Sequence, residues 1–125
     1  MKVLIADDSR LMRERIRAIL SDASGIDTIH EAEDSPTAIQ AVKKTKPDVV
    51  ILDICMPGGN GISALEAIKS TADPPITIML TNYPYPQYRK KCIDLGADFF
   101  LDKSSEFDAL TDIFHALMFH QDKKE

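Results

Sequence analysis

Val49-Val50-Ile51-Leu52-Asp53, VVILD, is the stretch on which the fold turns. Four aliphatic side chains in succession leave no polar face, so the strand they form is covered on both sides. That is the pattern of a central strand in a parallel sheet. The aspartate that ends it has no adjacent helix start to cap, because a loop-forming run, Met56-Pro57-Gly58-Gly59-Asn60-Gly61, follows. A carboxylate placed there by a buried strand calls for a reason other than capping.

Short apolar runs alternate with amphipathic stretches on either side of VVILD. Before it, Lys2–Ala6 reads as a first strand, and 10–21 as a helix with Ser9 as N-cap and Met12, Ile16, Ile19 and Ala23 inward. Residues 27–32 read as a second strand, mixed in polarity and so at an edge. A helix starts at Ser35-Pro36 in cap-then-proline manner and buries Ala38, Ile39 and Val42. The strand of VVILD itself spans 48–52.

After it come a helix over 62–70 with Leu65 and Ile68 inward, a fourth strand over 76–80, and a stiff turn, Tyr83-Pro84-Tyr85-Pro86. A short helix over 87–95 carries Tyr88, Cys92 and Leu95 on one side and ends at Gly96. A fifth strand occupies 98–101. Ser105 and Asp108 resemble a capping box for a last helix burying Phe107, Leu110, Phe114 and Leu117, before a solvated tail, HQDKKE. Five strand–helix units with such short connections predict an α/β fold, a doubly wound five-stranded parallel sheet in the order 2-1-3-4-5 with five helices. In that order ligands gather outside the carboxyl ends of strands 1 and 3.

The bulk composition narrows the function. The 125 residues are 44% hydrophobic and 28% charged, as in an ordinary soluble domain, and 20 acidic against 15 basic residues give a net charge of −5. That balance argues against direct nucleic-acid binding. The N-terminal apolar run is too short for a signal peptide, and no stretch approaches the roughly 20 apolar residues needed to span a bilayer. Cys55 and Cys92 show neither disulfide nor zinc spacing, and His30, His115 and His120 are scattered; a cytoplasmic, single-domain protein without an output domain is expected.

Five residues then fall just past the carboxyl ends of four strands: Asp7 and Asp8, Asp53, Thr81 and Lys103. Each has an ordinary alternative, the first pair as helix-capping acids, Thr81 as a strand residue and Lys103 as a solvated lysine. Their joint placement is more specific than any one of them. Three carboxylates, a hydroxyl and an ammonium at one sheet edge make a site for a hard cation and a phosphoryl group.

These pieces, ADDS at 6–9, LDICMPGGNG at 52–61, LTN at 80–82 and GADFFLDKS at 96–104, resemble the response-regulator receiver domain of two-component signalling over the whole length, with its flavodoxin-like fold. The resemblance implies that Asp53 is the phosphoacceptor for a sensor histidine kinase or a histidine phosphotransfer protein. It implies Mg²⁺ held by Asp8 and Asp53, by Asp7 largely through water, and by the backbone carbonyl of Cys55. Thr81 and Lys103 match the groups that grip the phosphoryl oxygens, and Phe100 the aromatic switch that moves inward with the threonine. The expected output is binding of a downstream protein at the face of helix 4, strand 5 and helix 5, by a monomer or a weak phosphorylation-dependent dimer. Membrane and direct nucleic-acid contacts are not expected. Nor is turnover catalysis, beyond the protein's own phosphorylation and slow dephosphorylation.

A phosphorelay intermediate and a phosphate-independent interaction module are the alternatives; a dehalogenase-like phosphatase is disfavoured because its second acid would fall at Cys55. The chain departs from the family in Asn82 and Tyr83, where Tyr83 is expected to overhang the acyl phosphate and prolong it. It departs again in Ser104, where many members have proline.

Overall fold

A computed structural model describes residues 1–23, 25–58 and 60–123, with side chains through 119. Five strands, β1 (Lys2–Ala6), β2 (Thr28–Ala32), β3 (Val49–Leu52), β4 (Ile76–Thr81) and β5 (Phe99–Asp102), alternate with five helices. These are α1 (Arg10–Ser21), α2 (Ser35–Thr45), α3 (Gly61–Lys69), α4 (Pro86–Asp94) and α5 (Ala109–Lys123). All pairings are parallel and the sheet order is β2-β1-β3-β4-β5, so the expected doubly wound, flavodoxin-like fold is the one found.

Alternation along the strands sorts the core into two layers. Leu4, Ala6, Val50, Leu52, Met79 and Phe100 face Ala38, Val42, Leu65, Ile68 and Cys92, which belong to α2, α3 and α4. Val3, Ile5, Val49, Ile51, Ile78, Leu80 and Leu101 face Ile16, Leu20, Leu110 and Phe114, from α1 and α5. Every residue of β3 is buried, as a strand covered on both faces must be, whereas β2 is an edge with Thr28, His30 and Glu31 exposed. No helix among the described residues is long and apolar enough to cross a membrane.

Helix ends follow the sequence in part. The Ser9 hydroxyl accepts from the Met12 amide at 3.2 Å, as expected of an N-cap. At α2 the cap is Asp34 and not Ser35: its carboxylate accepts from the Thr37 amide at 2.8 Å. Ser35 is instead buried inside the first turn, where its hydroxyl donates to the Asn60 carbonyl at 2.9 Å. The expected Ser105–Asp108 box is also replaced. Asp102 closes the turn by accepting from the Ser104 amide at 2.9 Å and the Ser105 hydroxyl at 3.1 Å, and α5 begins only at Ala109. Phe107 and Leu117 are half-buried, and α5 continues to Lys123 through most of the expected tail.

Candidate functional site

Register places the acids. Ala6 pairs with Leu52, so Asp7 and Asp53 are the next residues out on neighbouring strands. Backbone bonds hold both there: the Asp53 amide donates to the Ala6 carbonyl at 2.9 Å and the Asp7 amide to the Ala32 carbonyl at 3.0 Å. On the far side, Thr81 pairs with Asp102, and the Lys103 amide donates to the Thr81 carbonyl at 2.8 Å. Strand ends alone therefore deliver four of the expected groups to one edge.

Gly61 allows the loop after β3 to close. Its amide donates to the Ile54 carbonyl at 2.6 Å, and a Cβ built there would lie 1.8 Å from the Asp53 carbonyl oxygen. Only a residue without a side chain lets α3 start so close to the end of β3. Asn60 then caps α3, its side-chain oxygen accepting from the Ser63 amide at 2.8 Å.

Asp7 and Asp53 are buried, and Asp8 is exposed. Ligand atoms of all three lie within 4.8 Å of one another. The Lys103 ammonium is 2.7 Å from Asp7 Oδ2 and 3.2 Å from Asp53 Oδ2, with its own side chain almost wholly enclosed. The remaining Asp7 oxygen accepts from the Ser9 amide at 2.9 Å. Asp53 Oδ1 accepts a long bond, 3.4 Å, from the Cys55 amide.

Three acids face one ammonium here, but burial rather than charge count dominates the ionisation of Asp53. Burial, helped by the neighbouring Asp7 charge, outweighs Lys103 and pushes the Asp53 carboxyl up to about 6. Burial pulls Lys103 down, but bonding to Asp7 and Asp53 prevails and keeps its ammonium above the usual lysine range. An oxygen-only, acid-rich cluster of this spread fits a small hard dication that keeps some of its waters.

Thr81 is buried at the neighbouring strand end, where its hydroxyl accepts from the Tyr83 amide at 2.9 Å. Phe100 is also buried, under the Arg89 guanidinium, which lies 4.9 Å from the ring centroid. Tyr83 is 45% exposed, its ring 6.2 Å from that of Tyr85. Cys55 is exposed, with a thiol raised by burial and by the charges of Asp53 and Asp8, and Cys92 is buried; neither forms a disulfide. The peptide bond before Ser104 is trans, as are the others described.

Sequence reasoning missed three participants. Arg13 donates to the Asp7 carbonyl at 2.7 Å and pairs with Glu31 at the same distance, bracing the β1 end from α1. Arg89 covers Phe100 and approaches Glu106 at 3.9 Å. Glu106 in turn accepts from the Asp102 amide at 3.1 Å. A long charged side chain carries no local sign of which neighbour it will reach.

The pattern of the response regulator receiver domain family matches residues 3–115. The chain is 35% identical to chemotaxis protein CheY of Halobacterium salinarum over 119 residues, covering 92% of this chain and 98% of that protein. It is 33% identical to transcriptional regulatory protein YdfI of Bacillus subtilis over 93% of its own length, but spans only 53% of that relative. Among solved structures, the response regulator domain of Thermotoga maritima CheB superposes with a TM-score of 0.82 at 28% identity, covering 96% of this chain and 94% of that one. The CheX-CheY-BeF3-Mg+2 complex from Borrelia burgdorferi gives 0.78 at 28% identity, over 91% and 89%.

Proposed function

The chain belongs to the response regulator receiver domain family, and from that premise we propose that Asp53 accepts a phosphoryl group from a phosphohistidine donor, which switches binding to a protein partner in the cytoplasm. The observation that carries this reading is Asp53 itself: a buried carboxylate at a strand end, 3.2 Å from a buried ammonium, beside two further acids.

Asp8, Asp53 and the Cys55 carbonyl are the direct ligands proposed for Mg²⁺, with Asp7 acting mainly through water. When bound, the ion neutralises phosphoryl charge and favours in-line attack. The chain supplies the rest. An Asp53 oxygen attacks phosphorus, the bond to the donor's leaving group breaks, and that group departs with the bonding pair. Lys103 is placed as a point charge for the phosphoryl oxygens. Thr81 leaves its bond with the Tyr83 amide to donate to the new phosphoryl group, and its movement is read by Phe100 on the face of α4, β5 and α5.

The product is an acyl phosphate on the protein, so the chain acts as a switch rather than as a turnover enzyme. Incubation with acetyl phosphate and Mg²⁺ should add one phosphoryl mass at Asp53, with none added to Asp53→Ala or in chelator. An unmodified wild-type protein would leave only a phosphate-independent binding module.

A further inference from the structure

With Asp34 capping α2, the buried Ser35 is left for another task, and its polar groups turn to the loop after β3. Its hydroxyl donates to the Asn60 carbonyl at 2.9 Å, and its amide donates to the Pro57 carbonyl at 3.3 Å. Beside it the Pro36 ring lies over Gly58, where an added Cβ would come within 3.0 Å of the ring's Cδ. The Asn60 carbonyl also receives the Ala64 amide, at 3.3 Å, so one hydroxyl ties the start of α2 to the start of α3. Building on the cation reading above, we propose that Ser35 is a positioning residue for Mg²⁺: by pinning the far end of this loop it sets where the Cys55 carbonyl stands relative to Asp53.

The loop is fixed at its near end by the Asp53 amide, which donates to the Ala6 carbonyl at 2.9 Å. Ile54, Cys55 and Met56 then span the interval to Pro57, where Ser35 holds the backbone again. Ile54 and Met56 are buried in the layer under α2, α3 and α4, whereas Cys55 is exposed. The Ile54 carbonyl is already taken by the Gly61 amide at 2.6 Å. A carboxylate can rotate to meet a cation, but a backbone carbonyl moves only with its chain. Mg²⁺ tolerates little departure from octahedral geometry, so a ligand of that kind depends on whatever anchors the loop carrying it. The anchor acts on cation affinity and leaves the nucleophile itself alone.

The test titrates Mg²⁺ calorimetrically into wild type, Ser35→Ala, Ser35→Cys and Asn60→Ala, with urea unfolding of each in chelator. Cysteine is close to serine in shape and only a weak donor, so Ser35→Cys separates the hydrogen bond from packing. Asn60→Ala removes the α3 cap and keeps the backbone carbonyl that Ser35 uses. Both Ser35 variants should bind Mg²⁺ roughly three- to tenfold more weakly than wild type. Asn60→Ala should unfold at lower urea with its Mg²⁺ affinity unchanged. With acetyl phosphate, the Ser35 variants should need correspondingly more Mg²⁺ for half-maximal phosphorylation and reach the wild-type rate at saturation.

Wild-type Mg²⁺ affinity in both Ser35 variants overturns the inference, leaving Ser35 with a structural role only. So does an equal loss in Asn60→Ala, which would trace the effect to stability, or a saturated rate that stays low, which would trace it to Asp53. A wild type that binds no Mg²⁺ would instead remove the cation reading, and this one with it.

Discussion

At the scale of single residues, steric and electrostatic constraints meet at the end of β3. Asp53 is pushed up to about 6 because burial and Asp7 together outweigh the lysine 3.2 Å away. The sequence gives the types and order of these groups but not their pairing, and that difference has consequences. From charge count alone, neutralising any acid of the cluster should relieve repulsion. In the structure Asp7 carries the short, 2.7 Å bond to Lys103, so relief belongs to Asp53 instead. Gly61 imposes the steric limit. Gly61→Ala drives a methyl into the Asp53 carbonyl, which is backbone and cannot rotate aside. The start of α3 must move, at a cost of roughly 2–3 kcal/mol by the usual scale of overpacking. Urea unfolding measures it; a midpoint equal to wild type would mean that the loop closes without the close approach described.

At the scale of elements, the strands were legible because period and polarity decide them locally. VVILD could only be central, and the polar second strand could only be an edge. Helix starts were less legible: Ser35 and Asp34 are both good caps, and only the bond from Ser35 to Asn60 decides between them. Long charged side chains were the least legible, since Arg89 and Glu31 act across elements. Arg89 ties α4 to β5 and to the turn before α5, lying over Phe100 and near Glu106. A cation over a ring is worth about 0.5–1 kcal/mol, enough to change the buried population of Phe100 a few-fold. Arg89→Ala should therefore move a fluorine resonance on a 4-fluorophenylalanine at position 100 toward its solvent-exposed value, and an unmoved resonance would show that Arg89 does not hold the ring inward. On the opposite edge, Glu31 accepts from both Arg13 and Arg17. Burial raises its carboxyl, but hydrogen bonds from Arg17 and then Arg13 prevail and hold it below the model-peptide value of 4.5. An acid lowered by folding stabilises above its unfolded pKa, and loses that contribution as pH falls through the folded one. Wild type should thus melt above Glu31→Gln at pH 7, by no more than about 1 kcal/mol for a partly solvated pair. The gap should close below pH 4.5, and a gap that persists there would assign the effect to packing.

For the molecule as a whole, the sheet gathers charge at one end that its core cannot neutralise. Topology was readable from the alternation of runs, and so was the edge where the acids meet, because the 2-1-3-4-5 order leaves one switch point outside β1 and β3. What the alternation could not supply was the degree of internal compensation: one lysine, almost wholly buried, serves two of the three carboxylates. The folded state therefore carries a residual repulsion that the unfolded chain lacks, and a cation that binds only the folded state removes it by mass action. Millimolar Mg²⁺ should raise the thermal midpoint of wild type by a few degrees at pH 8. In chelator, Asp53→Asn should already melt above wild type and respond little to Mg²⁺, whereas Asp7→Asn should melt below it, having lost the 2.7 Å partner of Lys103. Calorimetry on the three proteins gives the order directly. If both substitutions raise the midpoint in chelator, repulsion is shared evenly over the cluster and Lys103 is not committed to Asp7. If Mg²⁺ leaves all three unchanged, the convergence of acids at this edge is not a cation site.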